Sequence, residues 1–439
     1  MLEDHARAED FEGFLRKANA PGTAGRNTLL VRHLLAGCPP CRENLTTAAE
    51  KSRGSDYSGA FAGAGRSLDA FLAQGPPSEI APEMLLAELS SQSAEQQIRQ
   101  VAEESRYAHP SLVKHLIDAS HAIRYQDPAR MLHLTNLARL AAEACDSESA
   151  GSVPKLEDLR AQAWRQYANA LRVRGRLRES DEAFATAHRH LDAGTRDPLL
   201  RARLCVQAAS LRYFQRQFER AIELYEEAGQ IYEELDETQS LASAMVQKAI
   251  ACLYAGHPEE AVQVLNGAIP LIDPDVDLHL LLAACHNLIR CYIDLGRPEQ
   301  ALSIYSEART LYKKFDDPLI RLRIAWQEGQ ILRDLGHLQA AKEILLQTRQ
   351  GFVDRELLYE VALTSLDLAA VYVRLRSEQE LQETVAEAVP IFRSLGVDRE
   401  ALASLLQLQQ SSQQSRQALE LIRFLHSRLE QLPPRQALP

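Results

Sequence analysis

Three residues near the start of the chain carry donor atoms at metal-binding spacing: His33, Cys38 and Cys41. Two thiolates separated by two residues can grip one ion from a tight turn. An imidazole about one helical turn upstream adds a third ligand, which is the chemistry of a tetrahedral zinc site. The same residues admit plainer readings, with His33 on a helix surface and Cys38-Pro-Pro-Cys41 a simple turn. A redox-active pair of thioredoxin type fits less well, because no strand-helix-strand pattern surrounds it. Elsewhere the chain offers no phosphate-binding glycine loop, no G-x-S-x-G elbow, no H-E-x-x-H helix and no paired carboxylates bracketed by turns. His188, His190, His257 and His337 are scattered and read as solvated surface residues. The expectation is a protein that is not an enzyme.

The elements that must position the donors form a short module, residues 1–50. A helix over Leu2 to Ala18 is followed by a Gly/Asn break and then by LLVRHLLAGCPPCRENL. The stretch resembles the zinc-binding anti-sigma factor domain, whose usual pattern is H-x3-C-x2-C with one further ligand upstream. His33 and Cys38 are one residue further apart than that pattern, and Gly37 can absorb the extra residue. The resemblance implies zinc held by His33, Cys38 and Cys41 with His5 as the fourth ligand, Asp4 and Glu9 being weaker alternatives. It also implies a sigma factor as an alternative partner. Residues 51–66, rich in Gly, Ala and Ser, read as a flexible linker. Residues 67–109 read as short amphipathic helices divided by Pro76, Pro77 and Pro82.

Beyond residue 110 the sequence repeats itself. The segment Ala161 to Ala187 sets Trp164, Tyr167, Ala168, Leu171, Gly175, Phe184 and Ala187 at the spacing of tetratricopeptide repeats, which it resembles at several positions at once. Small or turn-forming residues then recur at matched places: Ala209, Ala249 and Gly329; Gly256, Gly296 and Gly336; Ala221, Ala261, Ala301 and Ala341. Small residues belong where two antiparallel helices cross closely, and the turn glycines suit left-handed caps. An early copy, Ser111 to Ala138, is degenerate. A late one, Val361 to Ala388, carries Arg376 where the others have glycine. The expected fold is all-α, a right-handed solenoid of about seven helix pairs over residues 110–432. The helices Arg399 to Gln409 and Ser415 to Leu432 would cap it, leaving a frayed tail at 433–439. The repeat period of 40 residues is about six longer than the common one. It is similar to the repeat domains of bacterial peptide- or ligand-sensing regulators, although their DNA-binding helix-turn-helix has no counterpart here.

Composition narrows the partners. The 439 residues include 49 Lys and Arg against 60 Asp and Glu, a net charge of −11 that disfavours nucleic acid and anionic lipid. No window is apolar enough to span a membrane and the first residues are too acidic for a secretory signal, so a cytoplasmic protein is expected. Cys145, Cys205, Cys252, Cys285 and Cys291 fall inside helical patterns, as reduced core thiols do. In tetratricopeptide arrays the first helix of each pair lines a concave face. The positions pointing into it are Arg165, Asn169, Arg172, Arg203, Tyr213, Phe214, Tyr254, His286, Arg290, Arg323, Trp326, Gln330, Arg333 and Arg374. Asn169 matches the asparagine of carboxylate-clamp repeats, while Arg165 stands where that clamp has lysine. Arginines and rings on one face of an acidic protein imply an extended acidic or C-terminal peptide as ligand. The alternative is that these arginines are solvated or pair with glutamates of neighbouring helices.

Overall fold

A computed structural model describes Phe11 and residues 39–51, 82–124, 126–410 and 415–432. The chain divides into two compact units, Met1–Met84 and Leu85–Pro439. In the first, α1 (Pro39–Lys51) opens on two prolines, whose missing amide hydrogens cost nothing in a first turn. The supposed turn between Cys38 and Cys41 is therefore the start of a helix. The segment LDAFLAQ, read as helical, lies outside the described residues.

Helix α2 (Pro82–Ser90) spans the division, and the second unit continues with α3 (Ala94–Glu103), closed by a capping box between Ser93 and Gln96. Helices then run in antiparallel pairs: α4 (Pro110–Ala122) with α5 (Pro128–Ala144), and α6 (Val153–Val173) with α7 (Leu177–Ala193). Next come α8 (Pro198–Phe214) with α9 (Phe218–Glu234), α10 (Thr238–Ala255) with α11 (Pro258–Ala268), and α12 (Leu278–Asp294) with α13 (Pro298–Glu307). The series ends with α14 (Pro318–Asp334) and α15 (Leu338–Val353), α16 (Leu358–Leu375) and α17 (Glu378–Leu395), then α18 (Arg399–Gln410) and α19 (Ser415–Glu430).

Local chemistry sets these boundaries. Asp197 and Asp317 cap the first helices by accepting from Leu199 N and Leu319 N at 2.9 and 2.7 Å, each with proline next in the chain. Asp317 is thus the start signal of α14, and Thr238 and Gln239 belong to the first turn of α10. Gly296 takes φ 66°, which lets Arg297 N reach Tyr292 O at 2.8 Å and close the helix. Arg216 and Arg376 occupy the same left-handed turn at φ 61° and 59°, so the repeat enforces this conformation even without glycine. Where α14 meets α15, a Cβ on Gly329 would stand 2.7 Å from Leu345, so only glycine allows that crossing.

Ala221, Ala261, Ala301 and Ala341 are fully buried at the fourth position of their helices. The core is a succession of four local clusters along the chain rather than one centre, as expected when each pair packs on its neighbours. Cys205, Cys252, Cys285 and Cys291 are buried within helices, and Cys145 is buried just after α5. Among the described residues no helix is long and apolar enough to cross a membrane.

Candidate functional site

The first helices touch one another through residues about one repeat apart. Gln207 donates to Gln166, Gln327 donates to His286 O at 2.7 Å, and the Tyr213 and Tyr254 rings stand 5.5 Å apart. These helices make one continuous inner face, and it has two distinct stretches.

The C-terminal stretch is neutralised from within. Asp367, in the middle of α16, is 1% exposed. It accepts from Trp326 Nε1 at 2.6 Å and from Gln330 Nε2 at 3.0 Å, and it pairs with Arg333. Burial alone would raise its pKa, but Arg333 and His426 outweigh that and hold it down to about 2. Arg333 is shared with Asp334 at 2.8 Å, Arg374 donates to Arg333 O at 2.7 Å, and Arg323 faces Glu360 at 3.7 Å. Four predicted ligand contacts, Trp326, Gln330, Arg333 and Arg374, are thus bonded to the protein itself.

Helix α19 covers this stretch. Its buried Ala418, Ile422, Leu425 and Leu429 recur at helical spacing and join the cluster formed by α16. Glu430, at its end, pairs with Arg290, and its backbone carbonyl accepts from Arg216 at 3.2 Å. His426 Nε2 lies 3.4 Å from Asp367. One residue meeting both α12 and the turn after α8 places α19 on the inner side, not merely at the end of the stack. Every residue from Val361 to Val373 is buried as a result. The readable signal is VALTSLDLAAVYV, in which apolar residues are spread around the helix with Thr364, Ser365 and Asp367 as the polar members, a pattern that calls for cover on more than one side. Asp367 and Glu430 stand outside the inner-face positions of the repeat register, so nothing local marks them as partners of Arg333 and Arg290.

The N-terminal stretch differs. Arg172 bonds Asn169 Oδ1 at 2.8 Å and lies over the Phe214 ring at 4.9 Å. Tyr213 packs edge-on against Phe214 at 5.6 Å, and Arg290 stands 5.2 Å from the Tyr254 ring. His286 is pushed down to about 4, first by burial and then by Arg290 and Arg323. Arg165 and Arg203 face a cavity of about 590 Å³ between α4, α6, α8 and α10. On the second-helix side His190, expected to be solvated, is half-buried and its Nδ1 lies 2.6 Å from Glu157.

Of the four candidate zinc ligands, His5, His33 and Cys38 lie outside the described residues. Cys41 is buried in the first turn of α1. Among the described residues no three His, Cys, Asp or Glu side chains are grouped to hold a metal ion.

Comparison with known proteins addresses the repeats. The family model of soluble NSF attachment protein, SNAP, matches residues 201–358. A crystal structure of a Rap protein complexed with competence and sporulation factor superposes with a TM-score of 0.53 at 12% identity, over 73% of this chain and 88% of that one. The second unit has a tetratricopeptide-like fold. Aspartyl phosphate phosphatase F from Bacillus subtilis matches with a TM-score of 0.49 at 12% identity, over 89% of this chain and 96% of that one. The Rap conjugation gene regulator of the plasmid pLS20 in complex with the Phr* peptide gives 0.43 at 12% identity, over 72% and 96%. Among curated proteins none matches the sequence.

Proposed function

We propose that this protein is a non-enzymatic regulatory adaptor whose inner face binds a protein or peptide along the stretch α19 leaves uncovered. The observation that carries this reading is the contrast within one surface. Over α14 and α16 the arginines are satisfied by Asp334, Asp367 and Glu360, whereas over α6 and α8 Arg165 and Arg203 line a cavity and the Tyr213 and Phe214 rings are only partly buried. A Rap protein of similar architecture is complexed with competence and sporulation factor, which supports the solenoid as a ligand holder. Affinity purification from the native host identifies the partner. Its binding to Arg203→Glu and Phe214→Ala should then weaken about tenfold or more, with exposed Glu223→Lys on α9 as control. Unchanged affinity in both inner-face variants would move the site elsewhere.

For the N-terminal module the proposal is zinc held by His5, His33, Cys38 and Cys41, serving a second protein contact. The C-x2-C spacing supports it. Purified protein should carry close to one zinc per chain, and Cys38→Ser with Cys41→Ser should abolish it while leaving the repeats helical. Stoichiometric zinc in the double variant would sink the assignment. A sigma factor as the main captured protein, lost with the zinc, would make the module an anti-sigma element.

A further inference from the structure

The cavity between α4, α6, α8 and α10 contains a buried cation that no carboxylate among the described residues balances. Arg165 is 8% exposed and its Nε has no hydrogen-bond partner. Its titratable neighbours are Arg203, a second cation, the neutral Tyr232 phenol and His121, and among the described residues no carboxylate pairs with it. Asp118 also lines the cavity, yet it bears on His121 rather than on Arg165. A second donor is stranded in the same place. Gln239 Nε2 is buried without an acceptor, while its Oε1 is already committed to Asp273 N at 3.2 Å. Lys114 stands on the wall as well.

Burying an unpaired guanidinium is costly, because water is removed and no countercharge replaces it. Burial and the repulsion of Arg203 together push Arg165 down to about 10. Elsewhere on the same face the fold shows that it can satisfy an arginine, as Asp367 and Asp334 do for Arg333. Leaving Arg165 and Gln239 with unused donors, in one cavity, points to an acceptor that arrives from outside.

We infer that this cavity is a carboxylate-binding site, in which Arg165 and Gln239 donate to a carboxylate of a peptide partner and Arg203 adds positive charge from its exposed position. The inference rests on the reading of the inner face as a peptide groove. A guanidinium matches a carboxylate with two parallel N–H donors, which a single lysine cannot do. The volume of about 590 Å³ lies within the range of ligand pockets, so it admits a peptide end or one acidic side chain. The carboxylate is either the peptide C-terminus or that of an Asp or Glu.

The test uses the full chain, immobilised, and a combinatorial hexapeptide library without acidic side chains in three forms: C-terminal acid, C-terminal amide, and amide with one fixed Glu. Retained peptide is quantified by mass spectrometry for the wild type and for Arg165→Gln. Wild type should retain the acid form, the Glu form or both about tenfold over the plain amide, and the form retained identifies the source of the carboxylate. Arg165→Gln should lose that preference while melting at the same or a higher temperature, since it removes an unpaired buried charge. A lower melting temperature would mark Arg165 as structural and count against the site, and Arg203→Gln then supplies the second binding comparison. Equal retention of all three forms, unaffected by Arg165→Gln, overturns the carboxylate site and leaves the peptide groove standing. If no form is retained above bare resin, tricarballylate provides the separate arm. Thermal stabilisation of wild type but not of Arg165→Gln keeps the anion site and removes the peptide reading; stabilisation of neither removes both.

Discussion

Asp367 is the charge on which the C-terminal stretch turns. It is buried from solvent, so its ionised form depends on Arg333, Trp326, Gln330 and His426 together. Asp367→Asn keeps the shape but leaves Arg333 with Asp334 as its remaining carboxylate. The expected loss is about 3 kcal/mol, the lower end for breaking a buried pair, measured by chemical denaturation. His286 supplies a pH dependence of known sign. Its folded pKa, about 4, lies below the ordinary histidine value of about 6.5, so between these limits the unfolded chain binds more protons. Its contribution is present above the upper limit and is lost as the pH falls towards 4. The loss is of order 3 kcal/mol at one pKa unit per 1.36 kcal/mol. In His286→Gln this part of the acid slope should vanish, which stability curves from pH 7 to 4 will show.

At the scale of elements, α19 and α16 explain each other. An isolated α16 would expose apolar residues on its inner side, and an isolated α19 would have no partner for Ile422, Leu425 and Leu429. Joined, they bury both sets, with each large side chain worth about 1.5–3 kcal/mol. Leu425 is completely buried, so Leu425→Ala should cost about 2–5 kcal/mol. Because Trp326 donates to Asp367 beneath α19, its fluorescence reports the same event. Loss of stability without a change in the Trp326 signal would mean that α19 rests elsewhere.

Across the second unit most contacts are made between neighbouring pairs, α19 with its reach to Arg290 and Arg216 being the exception, and the core of the described residues is divided into four clusters along the chain. Stability in such an array is a sum over neighbours, so damage stays local. Hydrogen exchange of Leu425→Ala should accelerate in α16 to α19 and remain as in wild type in α4 to α7. Uniform acceleration along the chain would show one cooperative unit instead of a linear one.

The sequence by itself determined the repeat. Small residues at crossings, turn residues at fixed offsets and aspartates before prolines act through contacts a few residues away, and such contacts are written locally. It also placed Arg165, Arg203, Tyr213 and Tyr254 on one face, since helical period alone decides facing. The occupancy of that face was decided by tertiary structure. Asp367 lies 34 residues from Arg333 and Glu430 lies 140 from Arg290, and no local pattern says that such distant charges meet. Arg165 and Arg333 look alike in sequence. Among the described residues one is buried without a carboxylate and the other is held by two, because only the folded chain brings an acid to the second.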